Sequence, residues 1–308
     1  MEAKIMKTLT RTSNIIYSFS KEHEPVLTVD SGETVEIETF DCFEDQIQSN
    51  EQKLEAIDWN RINPATGPIY VNGAEKGDTL KVTIEKIEIG NQGVIATGEN
   101  LGMLGDELKG MSMKVVQVED NHVIFNEDIK IPLNPMIGVI GVAPEGEAIP
   151  TGTPGSHGGN MDTKLICEGA TIYFPVFTEG ALFGLGDFHA AMGDGEIGGS
   201  GVEVPGKATV KIEVIKNKTI EHPVIENENG LAFLVSSETV DEAIQLATKQ
   251  AVHFLSNHTN LSVEDATLLL SAAGQVEISQ VVDPLLTARF IIPKYILEEY
   301  DLNFSDIK

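Results

Sequence analysis

A chain of 308 residues, 41% hydrophobic and 22% charged, holds enough apolar material for one large core or two modest ones, and its composition excludes a disordered protein. Its 48 acidic against 21 basic residues leave a net charge of −27, which excludes nucleic acid and anionic membrane surfaces as partners because both would repel it. Cys42 and Cys167 form neither a CxxC pair nor a disulfide framework, no stretch approaches a membrane span and the first residues lack a signal-peptide core, so a cytoplasmic protein is expected.

Strand-like runs dominate the first two thirds of the chain. In order they are Thr34–Phe40 (TVEIETF), Thr79–Ile89 (TLKVTIEKIEI), Lys114–Val118, His122–Phe125, Gly169–Phe177 and Ala208–Ile215, rich in Val, Ile and Thr and separated by Gly, Asn, Asp and Pro. In Thr79–Ile89 the apolar parity flips between Ile84 and Ile87, which predicts a bulge or bend. Many short strands with this punctuation predict a mainly β fold, with a sandwich or barrel-like core over residues 1–215. Residues 216–308 read as an α+β portion. Thr239 with Glu242 forms a capping box ahead of Ile244, Ala247, Ala251 and Leu255 at helical spacing, and Ser262 with Asp265 opens a shorter helix through Leu270. Strand-like runs around Val276–Val282 and Thr287–Ile292 close the chain. No low-complexity linker separates the two parts, so the C-terminal portion is expected to pack on the core.

Chemistry-bearing residues gather at three places. Val35, Ile37 and Thr39 share a strand face, and Asp41 continues that row where the strand ends. An acid facing a core is costly unless paired or bound to a metal, whereas an acid past a strand end can simply cap a turn; the pattern leaves both open. Ser156–Asp162 (SHGGNMD) spaces His157, Asn160 and Asp162 around Gly158 and Gly159, whose backbone N–H groups can converge on an anion or a developing oxyanion. Gly184–Glu203 (GLGDFHAAMGDGEIGGSGVE) sets Asp187 two residues before His189, and Asp194 two before Glu196, among glycines and small residues.

If the strand begun by ALFGLG continues, Asp187 and His189 point to one side. A face carrying an acid and an imidazole suits a zinc-type divalent ion, and further carboxylates admit calcium or magnesium. Glycines in such number cost conformational entropy that a simple polar turn has no need of, so the cluster as a whole is read as a site. His23 lacks such company. No GxSxG elbow, P-loop or HExxH is present, and Cys167 lies inside a strand-like run as a core residue. That leaves metal-activated water or a carboxylate general base to supply the nucleophile.

The runs HGGNMD and GATIYFPVFTEGALFGLGDFHAAMGDGE, with GPIYVNGAEKGDTLKV, FDCFEDQ and GKATVKIEV, closely resemble the acetamidase/formamidase family from about Asp30 to the C-terminal helices. The resemblance implies a mainly β fold with an α+β C-terminal portion, a homodimer or higher homo-oligomer, and hydrolysis of short linear amides such as formamide and acetamide to ammonia and a carboxylate. Family motif positions fall on His157, Gly158, Gly159, Asn160 and Asp162, on Asp187, His189, Gly193, Asp194, Gly195 and Glu196, and on Asp41. Met192 stands where many relatives carry glutamine and cannot hydrogen-bond like an amide, and the stretch near Gly198 lacks the cysteine they carry.

Under this resemblance Asp41, Asp187 and His189, with His157 or Asp162, hold a divalent ion, zinc first and calcium or magnesium second. Glu196, or else Asp194, is the general base. The Gly158 and Gly159 N–H groups, beside Asn160, stabilise the oxyanion, and small residues around the site suit a small amide substrate. The rival class is a non-catalytic β-sandwich protein that binds a metal or small ligand. A family member acting on a different amide is the third reading.

Overall fold

A computed structural model describes residues 6–52 and 56–305. The fold is mainly β, with its helices toward the C-terminus. The strand Glu33–Thr39 shows why. Val35 and Ile37 are fully buried and the intervening Glu36 and Glu38 only half-buried, so the period-2 pattern of the sequence becomes one core face and one wet face.

Nine strands form the first sheet, in the order Lys7–Leu9, Glu33–Thr39, Gly206–Ile215, Thr79–Ile89, Thr171–Pro175, Val224–Asn227, Gly230–Ser237, Leu286–Pro293 and Gln275–Gln280. Thr79–Ile89 pairs antiparallel with Gly206–Ile215 along its whole length. Thr209 faces Lys86 and Val210 faces Ile84, so Glu85 is the extra residue that the parity flip predicts.

The second sheet is centred on Phe183–His189. Its start pairs with Ala65–Asn72, its His189 end with Glu203–Val204, and its other side with Met136–Gly141, beyond which lies Gly158–Asn160. Every residue of Phe183–His189 and of Met136–Gly141 is buried. The main apolar cluster joins the two sheets, with Val35, Ile37, Val82 and Val210 from the first and Ile137, Ile140, Leu185 and Phe188 from the second.

Helix α1 (Val240–His258) starts at Thr239, whose side chain accepts the Glu242 N–H, and α2 (Val263–Ala273) starts at Ser262, which accepts the Asp265 N–H. Ala243, Ala247 and Ala251 let α1 lie close on strands Gly230–Ser237 and Leu286–Pro293, where Phe233, Phe290 and Ile292 complete a second apolar cluster. The first sheet itself runs through both portions, because Thr171–Pro175 pairs with Val224–Asn227. A short helix α3 (Lys294–Glu299) follows. Among the described residues no helix is long and apolar enough to cross a membrane.

Candidate active site

The central strand ends by delivering Asp187 and His189 to one place, as their spacing predicts. Cross-strand pairing sets Glu203 directly opposite His189. Asp162 arrives from the turn after Gly158–Asn160. Glu196 arrives from a turn tied to the C-terminal strands: the Gly195 N–H donates to the Ser279 carbonyl at 2.8 Å, and the Val281 N–H donates back to Gly195 at 3.1 Å. The result is one imidazole nitrogen, His189 Nε2, facing Glu203 at 3.2 Å, Asp187 at 3.5 Å, Asp162 at 3.6 Å and Glu196 at 3.9 Å. All five side chains are buried.

Glycine makes this convergence possible. A Cβ on Gly138 would stand 2.3 Å from Asp162 Oδ1 and 2.6 Å from Asp187 Oδ2, and one on Gly201 would stand 2.5 Å from His189 Nδ1. Three of the acids also adopt left-handed backbone, with φ of 38° at Asp162, 58° at Asp187 and 48° at Glu196. Non-glycine residues pay for that conformation, and such strain concentrates at functional sites.

The electrostatics are one-sided. Burial, followed by the surrounding carboxylates, pushes Asp162, Glu196 and Glu203 well above the ordinary carboxylate range. Burial alone would lower His189, but Glu203 and Asp187 outweigh it and hold the imidazole well above its usual range. One imidazolium cannot offset four carboxylates, and a buried charge without a partner costs several kcal/mol. Both oxygens of Asp162, Asp187 Oδ1 and His189 Nδ1 are buried with no hydrogen-bond partner among the described residues.

A divalent cation fits this donor set. Asp162, His189 and Glu196 offer ligand atoms within 4.8 Å of one another, and Cys42, Asp187 and Glu203 do the same beside them. A cavity of about 450 Å³ opens onto the cluster, with Asp187, Glu196, Glu203, Asn160 and Asp283 at its floor. Asn160 Nδ2 donates to Asp283 Oδ2 at 3.0 Å, and Asn160 Oδ1 is buried with no hydrogen-bond partner among the described residues.

Other expected site residues lie elsewhere. Asp41 is buried, but its Oδ1 accepts the N–H groups of Phe43 at 2.9 Å and Asp45 at 2.8 Å, so it anchors a turn and lies outside both ligand groups. Burial raises its pKa to about 7. His157 is also outside the cluster. Its ring meets Phe19 edge-on at 5.4 Å, both nitrogens are buried without a hydrogen-bond partner among the described residues, and burial lowers its pKa to about 4. The Gly158 N–H donates to the Gly155 carbonyl at 3.1 Å, so it is committed to its own turn, and Gly159 pairs with Ile140 in the sheet. Asp194 turns away from the cluster to Arg289 at 3.0 Å and Lys164 at 3.1 Å, so it does not stand among the acids around His189.

The residues that sequence reasoning missed are Glu203 and Cys42. The available signal for Glu203 was an acid flanked by two valines in Val202–Val204, a pattern of core residues interrupted by a charge.

A model of the acetamidase/formamidase family matches residues 7–151 and 145–299. The crystal structure of a predicted acetamidase/formamidase from Thermoanaerobacter tengcongensis superposes with a TM-score of 0.94 at 54% identity, covering 97% of this chain and 99% of that one. An acetamidase from Bacillus halodurans gives 0.93 at 47% identity, covering 96% and 100%. A candidate formamidase of Schizosaccharomyces pombe is 27% identical over 256 residues, which span 62% of this chain and 61% of that relative's length.

Proposed function

Because the chain belongs to the acetamidase/formamidase family, we propose that it hydrolyses the C–N bond of linear amides, of the formamide and acetamide type, with a metal-activated water at the floor of its acidic cavity. The observation that carries this reading is the gathering of four buried carboxyl groups around His189 Nε2 with no other basic group among them in the described residues.

Asp162, Asp187, His189 and Glu203 would hold the cation, zinc before calcium or magnesium on the imidazole and the neighbouring Cys42 thiol. A divalent ion bound there supplies Lewis-acid polarisation and lowers the pKa of water. Glu196 is the proton acceptor. It takes a proton from water as the water oxygen bonds to the amide carbon, then passes that proton to nitrogen as the C–N bond breaks and the electron pair leaves with ammonia. Asn160, held by Asp283, presents its unpartnered Oδ1 to the substrate's N–H groups and orients the leaving nitrogen.

Ammonia release from a panel of short amides, with chelation and metal add-back, tests the proposal. The expected result is turnover that chelation removes and a divalent ion restores. Absence of ammonia from every amide would refute amidase activity, and chelator-insensitive turnover by metal-free protein would refute the metal's role.

A further inference from the structure

The cavity above the acid cluster is far larger than the reacting amide group requires. Its roughly 450 Å³ falls in the range of about 300–1,000 Å³ typical of sites that enclose drug-sized ligands. Its floor is built from small and polar residues, as the sequence leads one to expect of a site for a small amide. Its walls are not. Phe43, Trp59, Ile62, Ala96, Leu101 and Met111 converge on it from separate segments of the chain. Trp59 and Ile62 are 42% and 36% exposed at its rim, large apolar side chains left open to water around one polar floor.

Such a chamber gains nothing from formamide, which has no acyl body to bury. We infer that the preferred substrates are amides whose acyl side carries an extended alkyl or aryl group, seated against Trp59, Ile62, Leu101 and Met111 while the amide head reaches Asn160 and Glu196. This rests on the amidase reading and sharpens it. Apolar contact is non-directional, so the walls select for carbon bulk on the acyl side, while the hydrogen-bonding groups that recognise the amide lie at the floor. The hydrolytic step is unchanged: water and the amide give the longer carboxylate and ammonia.

The test is kcat/KM for ammonia release along formamide, acetamide, butanamide, hexanamide and phenylacetamide, using metal-loaded full-length protein. One methylene in an apolar pocket is worth on the order of tenfold or more, so the series is expected to rise by at least about tenfold from acetamide to its best member. Trp59→Ala and Ile62→Ala change exposed rim residues, so folding is little affected. Each is expected to lower the ratio of phenylacetamide to acetamide kcat/KM several-fold, toward about tenfold in the double variant. Turnover of acetamide with a flat or falling series would overturn this inference and leave the amidase reading standing. A rising series whose ratio both variants leave unchanged would also overturn it, by placing the selectivity elsewhere. No ammonia from any member would overturn both readings together.

Discussion

Asp194 and Glu196 stand two residues apart in one glycine-rich turn, and the structure sends them to opposite electrostatic environments. Asp194 joins a closed ion-pair network: Arg289 donates to both of its oxygens at 3.0 and 3.1 Å, also pairs with Glu277, and donates to Thr163 and Ser279, while Lys164 approaches from another side. Glu196 joins a cluster in which four carboxylates share one imidazole. In the first region the chain supplies its own counter-charge, so the carboxylate fixes the turn. In the second it does not, and that imbalance is where the proposed cation and substrate would sit. Composition cannot make this distinction, since both regions are acidic and lie within the same few residues.

Deleting the imidazole is expected to have the largest effect. His189→Ala removes the only nitrogen donor among the clustered acids and should abolish turnover together with bound metal, as read by ammonia release and elemental analysis of the same sample. A metal-replete, active variant would show that the acids suffice alone and would break the contrast between the two regions. Glu196→Gln comes next. It keeps shape and removes basicity, so a loss of about a hundred- to ten-thousand-fold in kcat is expected with metal content near normal. Loss of metal instead would make Glu196 a ligand.

The third prediction compares two buried histidines. The carboxyl groups around His189 push its pKa upward, whereas His157 sits against Phe19 among glycines with its pKa lowered from 6.5 to about 4. The unfolded chain therefore binds a proton that the folded one refuses as pH falls from 6.5 to about 4. Stability is lost through that window and the loss levels off below it. The gap corresponds to about 3 kcal/mol. Denaturant unfolding at pH 7 and pH 4 should show a drop smaller by about that amount in His157→Phe than in the parent. An equal drop would mean that the folded protein protonates His157 without cost.

Asp194→Asn is expected to have the smallest effect. Its carboxylate is 35% exposed and Arg289 keeps Glu277, so about 1 kcal/mol of stability should be lost, measured by thermal unfolding, with turnover retained. A loss of activity comparable to that of Glu196→Gln would erase the difference between the two acids.

The regular elements were legible wherever local chemistry decides. Alternation in Thr34–Phe40, the parity flip that puts Glu85 in a bulge, and the caps at Thr239 and Ser262 each depend on neighbours in sequence, and each stands where its pattern places it. Met136–Gly141 gave no such signal, because a strand buried on every side has no wet face to set a period. Asp187 and His189 were legible as a pair for the same local reason. Asp41 was not, because an acid that continues a buried row and an acid that accepts turn N–H groups share one pattern.

The sequence by itself therefore determined the β-rich architecture, the family to which the chain belongs and a glycine-rich segment crowded with acids. Tertiary structure alone decided which acids meet. Glu203 reaches His189 by cross-strand pairing, Gly138 and Gly201 leave space for side chains distant in sequence, and Arg289 crosses from the C-terminal portion to neutralise Asp194. Charge compensation acts over a few ångströms of space without regard to sequence separation, and so only the folded chain separates the acid that fixes a turn from the acid beside it that faces the cavity.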